Sequence, residues 1–428
     1  MALVSHFCPV SVSSPSDSGS PPRDQQQLVA PYQYSALYNP IPMFISPTTN
    51  FQYEYYIGRY FTQVLGIQYR LADQKALRSI MSFLAQQNPA VKSSISLLSV
   101  LHIQSQAQAV SSSGVAGLLT APSPSAQKLY DKLYKQTLGL LQESKFLKQR
   151  LDEGDAMACL HLISAFLFSG GRGTWDEFLH TAGDWVEATI CDYGAPDLAL
   201  LDLSERGRFI FRATMWMDVF SGVSLRRPPR FLRWYQQLFR PGVQLPDELG
   251  MERIMGCPND VILAFAETAQ LEHDKECEAS TISTANAVAA VAGGVSGTRS
   301  AEADMMLQYM LRGKGMQIEA YIPEIAGPAP PLPSWERFVE MKETEDGSTD
   351  AETAERETRI KVAEVFKQAA RVYLHSVIEG CDPQVPTIRR AVLASIRALT
   401  VRVLHRPSIV CLYLIVMDLF AGITFFPT

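Results

Sequence analysis

After Phe51, apolar side chains recur every three to four residues through most of the chain, a period that predicts helices. Tyr53, Tyr56, Ile57, Tyr60, Phe61, Val64 and Leu65 make one such face. Tyr130, Tyr134, Leu138 and Leu141 make another, on a helix near 126–149. Trp175, Phe178, Leu179, Ala182 and Val186 make a third, and Thr174 with Glu177 three residues on reads as a capping box at its start. Val261, Phe265, Ala269 and Glu272 share a face of a helix opened by Pro258-Asn259-Asp260. Late in the chain, Ala363, Phe366, Ala370, Tyr373 and Val377 form one stripe, and Ile388, Val392, Ile396, Leu399 and Val403 another. Met157–Phe168 and Phe209–Val223 are apolar nearly all round and read as buried central helices. No segment alternates with the period of two that a half-buried strand requires. The fold class predicted is all-α: one large multi-helix domain, an irregular bundle or solenoid-like array.

The periods fail at defined places. Residues 1–50 are rich in Ser, Pro and Gln and predict a disordered tail, because so little apolar area cannot offset the entropy of ordering it. Ser14, Ser20 and Ser46 precede prolines there, a setting for proline-directed phosphorylation and also ordinary tail composition. The domain is expected over 51–428, with flexible inserts near 110–125, 280–300 and 327–357. Breaks are also expected at Arg226–Pro229 and Arg240–Gly250. Glu336–Glu357 holds nine acidic and three basic residues, read as a solvated face or loop in preference to an acidic interaction patch.

Composition narrows the classes. Hydrophobic residues are 47% and charged residues 19% of 428, enough to build a core and too few charges for a disordered acidic or basic protein. The net charge of −6 is wrong for an obligate nucleic-acid coat. The seven cysteines (Cys8, Cys159, Cys191, Cys257, Cys277, Cys381, Cys411) are scattered, which argues against a disulfide framework and against a cysteine-based zinc site. With no secretory signal visible, a reducing compartment is expected.

The search for chemistry is mostly negative. No nucleophile elbow or P-loop occurs, no catalytic residue is proposed, and no metal site or cofactor is expected. Ser169–Thr174 is glycine-rich before a helix, but it lacks a lysine and follows a helix, so an inter-helix loop is the better reading. His273 and Cys277 share one helical face, two ligands where zinc wants three or four. His161 in its apolar helix reads as a core histidine. Between Glu205 and Arg240 stand eight arginines with Trp216, Trp234 and Tyr235 among them. Arg226, Arg227, Arg230, Arg233 and Trp234 are the part that could grip single-stranded nucleic acid; inter-helix ion pairing is the competing and favoured reading. Ser408–Thr428 is apolar apart from Asp418 and reads as a buried terminal helix or, alternatively, as a membrane anchor of a helical scaffold protein.

Taken in order, several segments resemble the fungal-specific transcription factor domain, the regulatory middle homology region of fungal zinc-cluster transcription factors. They are Tyr53–Ile57, Asn88–Leu98, Leu129–Leu141, Met157–Leu179 with Gly183, Phe209–Pro229, Gly256-Cys257-Pro258 and Phe366–Leu374. The resemblance covers roughly 51–410 and implies a nuclear regulator of RNA polymerase II transcription. It implies partners in the transcription machinery or another regulator, a small-molecule effector, and homodimerisation. Full-length members carry a six-cysteine zinc cluster that reads DNA; here Cys8 alone precedes Cys159. No zinc ligand or DNA contact is carried over, and DNA is a partner only if a cluster is supplied. A shortened chain, or a regulator without its own DNA reader, is therefore expected.

Overall fold

In a computed structural model, the structure describes residues 47–111, 124–148, 150–171, 174–243, 245–246, 249–291, 297–322, 350–380, 382 and 384–400. Every regular element among them is helical. The first apolar face becomes α1 (Pro47–Arg59), a π-turn (Tyr60–Val64) and α2 (Leu65–Gln68) in one continuous run. Pro47–Asn50, expected to belong to the tail, opens α1. The π-turn is closed by a bond from the Leu65 amide to the Tyr60 carbonyl. Its wider ring lets Tyr60, Val64 and Leu65 all reach the core.

Asn88 starts α4 (Pro89–Ser111), its side chain accepting from the amides of Ala90 and Val91, with proline at the first helical position. The serines of α4 let neighbours approach closely and find partners inside. Thr137 donates to Ser93, Ser94 meets His161, and Ser99 donates to the Tyr56 carbonyl. α4 packs on α3 (Gln74–Gln87), α5 (Pro124–Leu147) and α6 (Glu153–Phe168). α6 is the buried central helix expected, opened by a reciprocal cap between Asp152 and Asp155.

From α6 the packing passes to α7 (Asp176–Tyr193) and α9 (Glu205–Leu225), with α8 (Pro196–Asp202) beside α7. α9 is the second all-apolar segment. Trp216, wholly buried, meets Phe220 at 4.4 Å and Phe366 at 5.4 Å between ring centres, and Phe220 meets Phe265 at 5.2 Å. These rings join α9 to α12 (Asn259–Val291) and α14 (Asp350–Glu379). α10 (Leu232–Leu238) and α11 (Glu252–Met255) are short connectors. α12 also packs on α13 (Gly297–Glu319), and α14 on α15 (Pro386–Thr400).

Four expectations need correction. α7 begins at Asp176 with Trp175 at its N-cap and no side-chain cap, so Thr174 is not the capping residue. Trp175 packs against Phe166 and the core, and its carbonyl accepts from Phe178 and Leu179, so aromatic burial sets where the helix starts. The insert expected over 280–300 is helical to Val291 and again from Gly297: its alanines extend α12 at little cost in propensity, and Thr281 and Thr284 bond back to the Cys277 and Ser280 carbonyls. The end of the 327–357 insert is likewise the first turns of α14, and 323–349 lies outside the described residues. On α15 the inward edge is Ile388, Ala391 and Ser395, while Ile396 from the expected stripe is 48% exposed. Val403, the rest of the 1–50 tail, residues 112–123 and Ser408–Thr428 lie outside the described residues. No helix among the described residues is long and apolar enough to cross a membrane.

Candidate functional site

The basic and aromatic residues singled out in the sequence gather at the C-terminal end of α9. α9 stops at Arg226, whose backbone is left-handed (φ 51°). The Arg227 amide returns to the Gly222 carbonyl at 3.0 Å. A Cβ on Gly222 would stand 2.9 Å from the Arg227 carbonyl oxygen and 3.0 Å from Pro229, so only glycine admits this Arg-Pro-Pro turn. Asp218, one turn earlier and buried, anchors the segment beyond the turn. Its carboxylate accepts from the amides of Arg230 (3.0 Å) and Phe231 (3.1 Å) and from the Tyr235 hydroxyl (2.7 Å). Burial raises the Asp218 carboxyl, and these bonds only partly offset it.

The guanidinium groups meet carboxylates on neighbouring helices. Arg226 lies 3.5 Å from Glu272 and 3.7 Å from Glu276 of α12. Arg227 donates to Asp176 at 2.7 Å. Arg230 donates to Asp184 and Glu187 of α7, each at 2.7 Å, and to the His180 carbonyl. Gly183 makes room for that arginine: a Cβ there would meet its Nη1 at 2.7 Å. Trp234 stacks on Phe231 at 4.7 Å, half-buried, and Arg233 is exposed. A guanidinium forked across carboxylates has little charge left for phosphate.

A second basic surface has no counterpart among the sequence expectations. A cleft of about 1480 Å³ opens between α3, the first half of α9, α11 and α14, bordered by Phe239–Val243, Leu245, Pro246 and Gly250. Arg208 and Arg212 of α9, Arg253 of α11, and Arg359 and Lys367 of α14 line it. Arg212 donates to the Arg208 carbonyl and, through Nη1, to the Gly250 carbonyl at 3.2 Å. Burial, then the charges of Arg208 and Arg253, bring Arg212 down to about 10. The only signal in the sequence is Arg208 and Arg212 at helical spacing; Arg253 and Arg359 come from distant segments, and nothing local pairs them.

Other singled-out groups have structural partners. His161 is buried between Ser94, whose hydroxyl lies 2.9 Å from Nδ1, and Tyr60, whose hydroxyl lies 3.4 Å from Nε2. Burial lowers it to about 3, so the ring is neutral. Tyr60 donates on to Gln68, and Gln68 to Ser164, which closes a polar chain inside the core. The amides of Gly170 and Gly171 donate to the Leu167 and Phe166 carbonyls and so terminate α6, while 172–173 lie outside the described residues. Cys277, exposed, lies 3.6 Å from the half-buried His273. No group of three metal-ligating side chains occurs among the described residues.

No curated protein and no solved structure is significantly similar to the chain. The family model described as the fungal specific transcription factor domain matches residues 53–417, from the tyrosines of α1 past the end of α15. Covering most of the 428 residues, that match shows that the chain belongs to the fungal specific transcription factor domain family.

Proposed function

We propose that the chain acts in the nucleus as the regulatory domain of a fungal-type transcription factor, controlling RNA polymerase II transcription while another module reads the DNA. The observation that carries this reading is the family match over 53–417. The scattered cysteines support the separation from DNA reading, because no six-cysteine cluster occurs in the sequence. The arginines around Arg230 support it too, since they hold helices together through carboxylates of α7 and α12. The domain works through other regulators, the transcription machinery or a second copy of itself, and it carries out no catalytic step and uses no cofactor of its own.

The test is to tether the full chain to a promoter. Fused to an unrelated DNA-binding domain, it changes expression of a reporter carrying that domain's sites, in either direction. Expression equal to that of the DNA-binding domain alone, in both an activation and a repression reporter, contradicts the proposal.

A further inference from the structure

The cleft between α3, α9, α11 and α14 has features that helix packing does not explain. Arg208, Arg212 and Arg253 approach closely enough for the charges of Arg208 and Arg253 to act on Arg212. Like charges gathered in a partly buried cleft cost free energy, and a fold built only for stability has no use for them. The Nε of Arg208 is buried and has no hydrogen-bond partner among the described residues. Such a group is uncommon in a folded protein and calls for a missing acceptor. No carboxylate among the described residues stands within ion-pair distance of Arg208 or Arg253, in contrast to Arg226, Arg227 and Arg230 a few turns away.

The cleft also has acidic groups, and most are engaged locally. Asp73 caps α3 through the amides of Lys75 and Ala76. Asp260 accepts from the amide of Val261, and Glu364 from Gln368. Glu205 is the carboxylate whose charge acts on Arg212. Beside the arginines the walls are apolar, with Leu77, Ile80, Phe209 and Phe239. Ordinary small-molecule sites occupy about 300–1,000 Å³, so a ligand would fill only part of this cleft.

We propose that Arg208, Arg212 and Arg253 form a binding site for a small organic oxyanion, its phosphate or dicarboxylate head between the guanidinium groups and its apolar body against Phe209 and Phe239. The forked donors of arginine suit both heads. α9 runs from Arg208 and Arg212 through Trp216 to Asp218 and the Arg-Pro-Pro turn, so occupancy bears on the helix that joins α6 and α7 to α12 and α14. That the site is an effector input rests on the transcriptional role proposed for the chain; that it binds an oxyanion does not, and the two fail separately.

The experiment is a thermal unfolding titration of the full chain with phenyl phosphate, phthalate or inorganic phosphate at millimolar concentration, against sodium chloride of equal ionic strength. A saturable rise in midpoint of about 2–4 °C is expected with phenyl phosphate or phthalate, and the stronger of the two identifies the head. A smaller rise is expected with inorganic phosphate, and an equal one overturns the apolar half of the proposal. Arg208→Gln combined with Arg253→Gln abolishes the rise, and Lys128→Gln on the remote face of α5 retains it. Should the double variant not fold, Arg253→Gln alone, at an exposed position, weakens the response severalfold. No saturable rise in the wild-type chain, or an undiminished rise in the arginine variants, overturns the site.

Discussion

At the scale of single residues, Asp218 carries the most structure per atom. One carboxylate receives two backbone amides and a phenol, all inside the protein. Asp218→Ala leaves those donors without acceptors and is expected to lower stability by about 3 kcal/mol, measured by urea unfolding. Arg227→Ala removes a partly exposed pair with Asp176 and is expected to cost less than about 1 kcal/mol in the same measurement. His161 gives a pH signature. Burial holds its folded pKa at about 3, below its ordinary value of 6.5, so between those values the unfolded chain binds the proton and the folded chain does not. Stability therefore falls as pH drops through that window, and it is regained as pH rises. His161→Gln is expected to flatten the dependence between about pH 4 and pH 6. An unchanged slope in the variant would show that the ring is not held neutral.

At the scale of elements, the glycines at the ends of helices fix how neighbours meet. Gly256 stands in the Gly-Cys-Pro turn with φ 76°, and a Cβ there would meet Leu71 at 2.4 Å and Val362 at 2.8 Å. Gly256→Ala combines backbone strain with a clash between three elements and is expected to lower stability by about 2–4 kcal/mol. Gly313→Ala meets nothing and is expected to stabilise α13 by up to about 1 kcal/mol. A larger loss at Gly313 than at Gly256 in parallel thermal melts contradicts this packing. The regular faces of α1, α5, α7, α12 and α14 were readable because period 3.6 survives wherever one side of a helix is buried. The start of α7 was not, because packing of the half-buried Trp175 against Phe166 outweighed the polar signal of Thr174 and Glu177. The π-turn at Tyr60 was not, because one extra residue in a turn leaves a tyrosine-rich face looking regular. The arginine turn was half readable. Its composition showed ion pairing or a grip on single-stranded nucleic acid as alternatives, and only the positions of Asp176, Asp184, Glu187 and Glu272 show which carboxylates it meets.

At the scale of the whole molecule, two kinds of basic surface coexist on a chain of net charge −6. Arg226, Arg227 and Arg230 are spent on acidic residues of α7 and α12. Arg208 and Arg212 in the first half of α9 face a cleft with Arg253, and no sequence neighbour predicts that meeting. α9 joins the two settings and also contributes Trp216, which ties the early helices to α12 and α14. Such an architecture fits the regulator proposed above. Membership in the fungal specific transcription factor domain family gives that regulator its process. The most direct measurement is RNA polymerase II occupancy across the genome in the minutes after the chain is depleted from growing cells. A defined set of genes is predicted to gain or lose polymerase before any change in growth. Occupancy that stays unchanged at every gene would contradict a role in transcription.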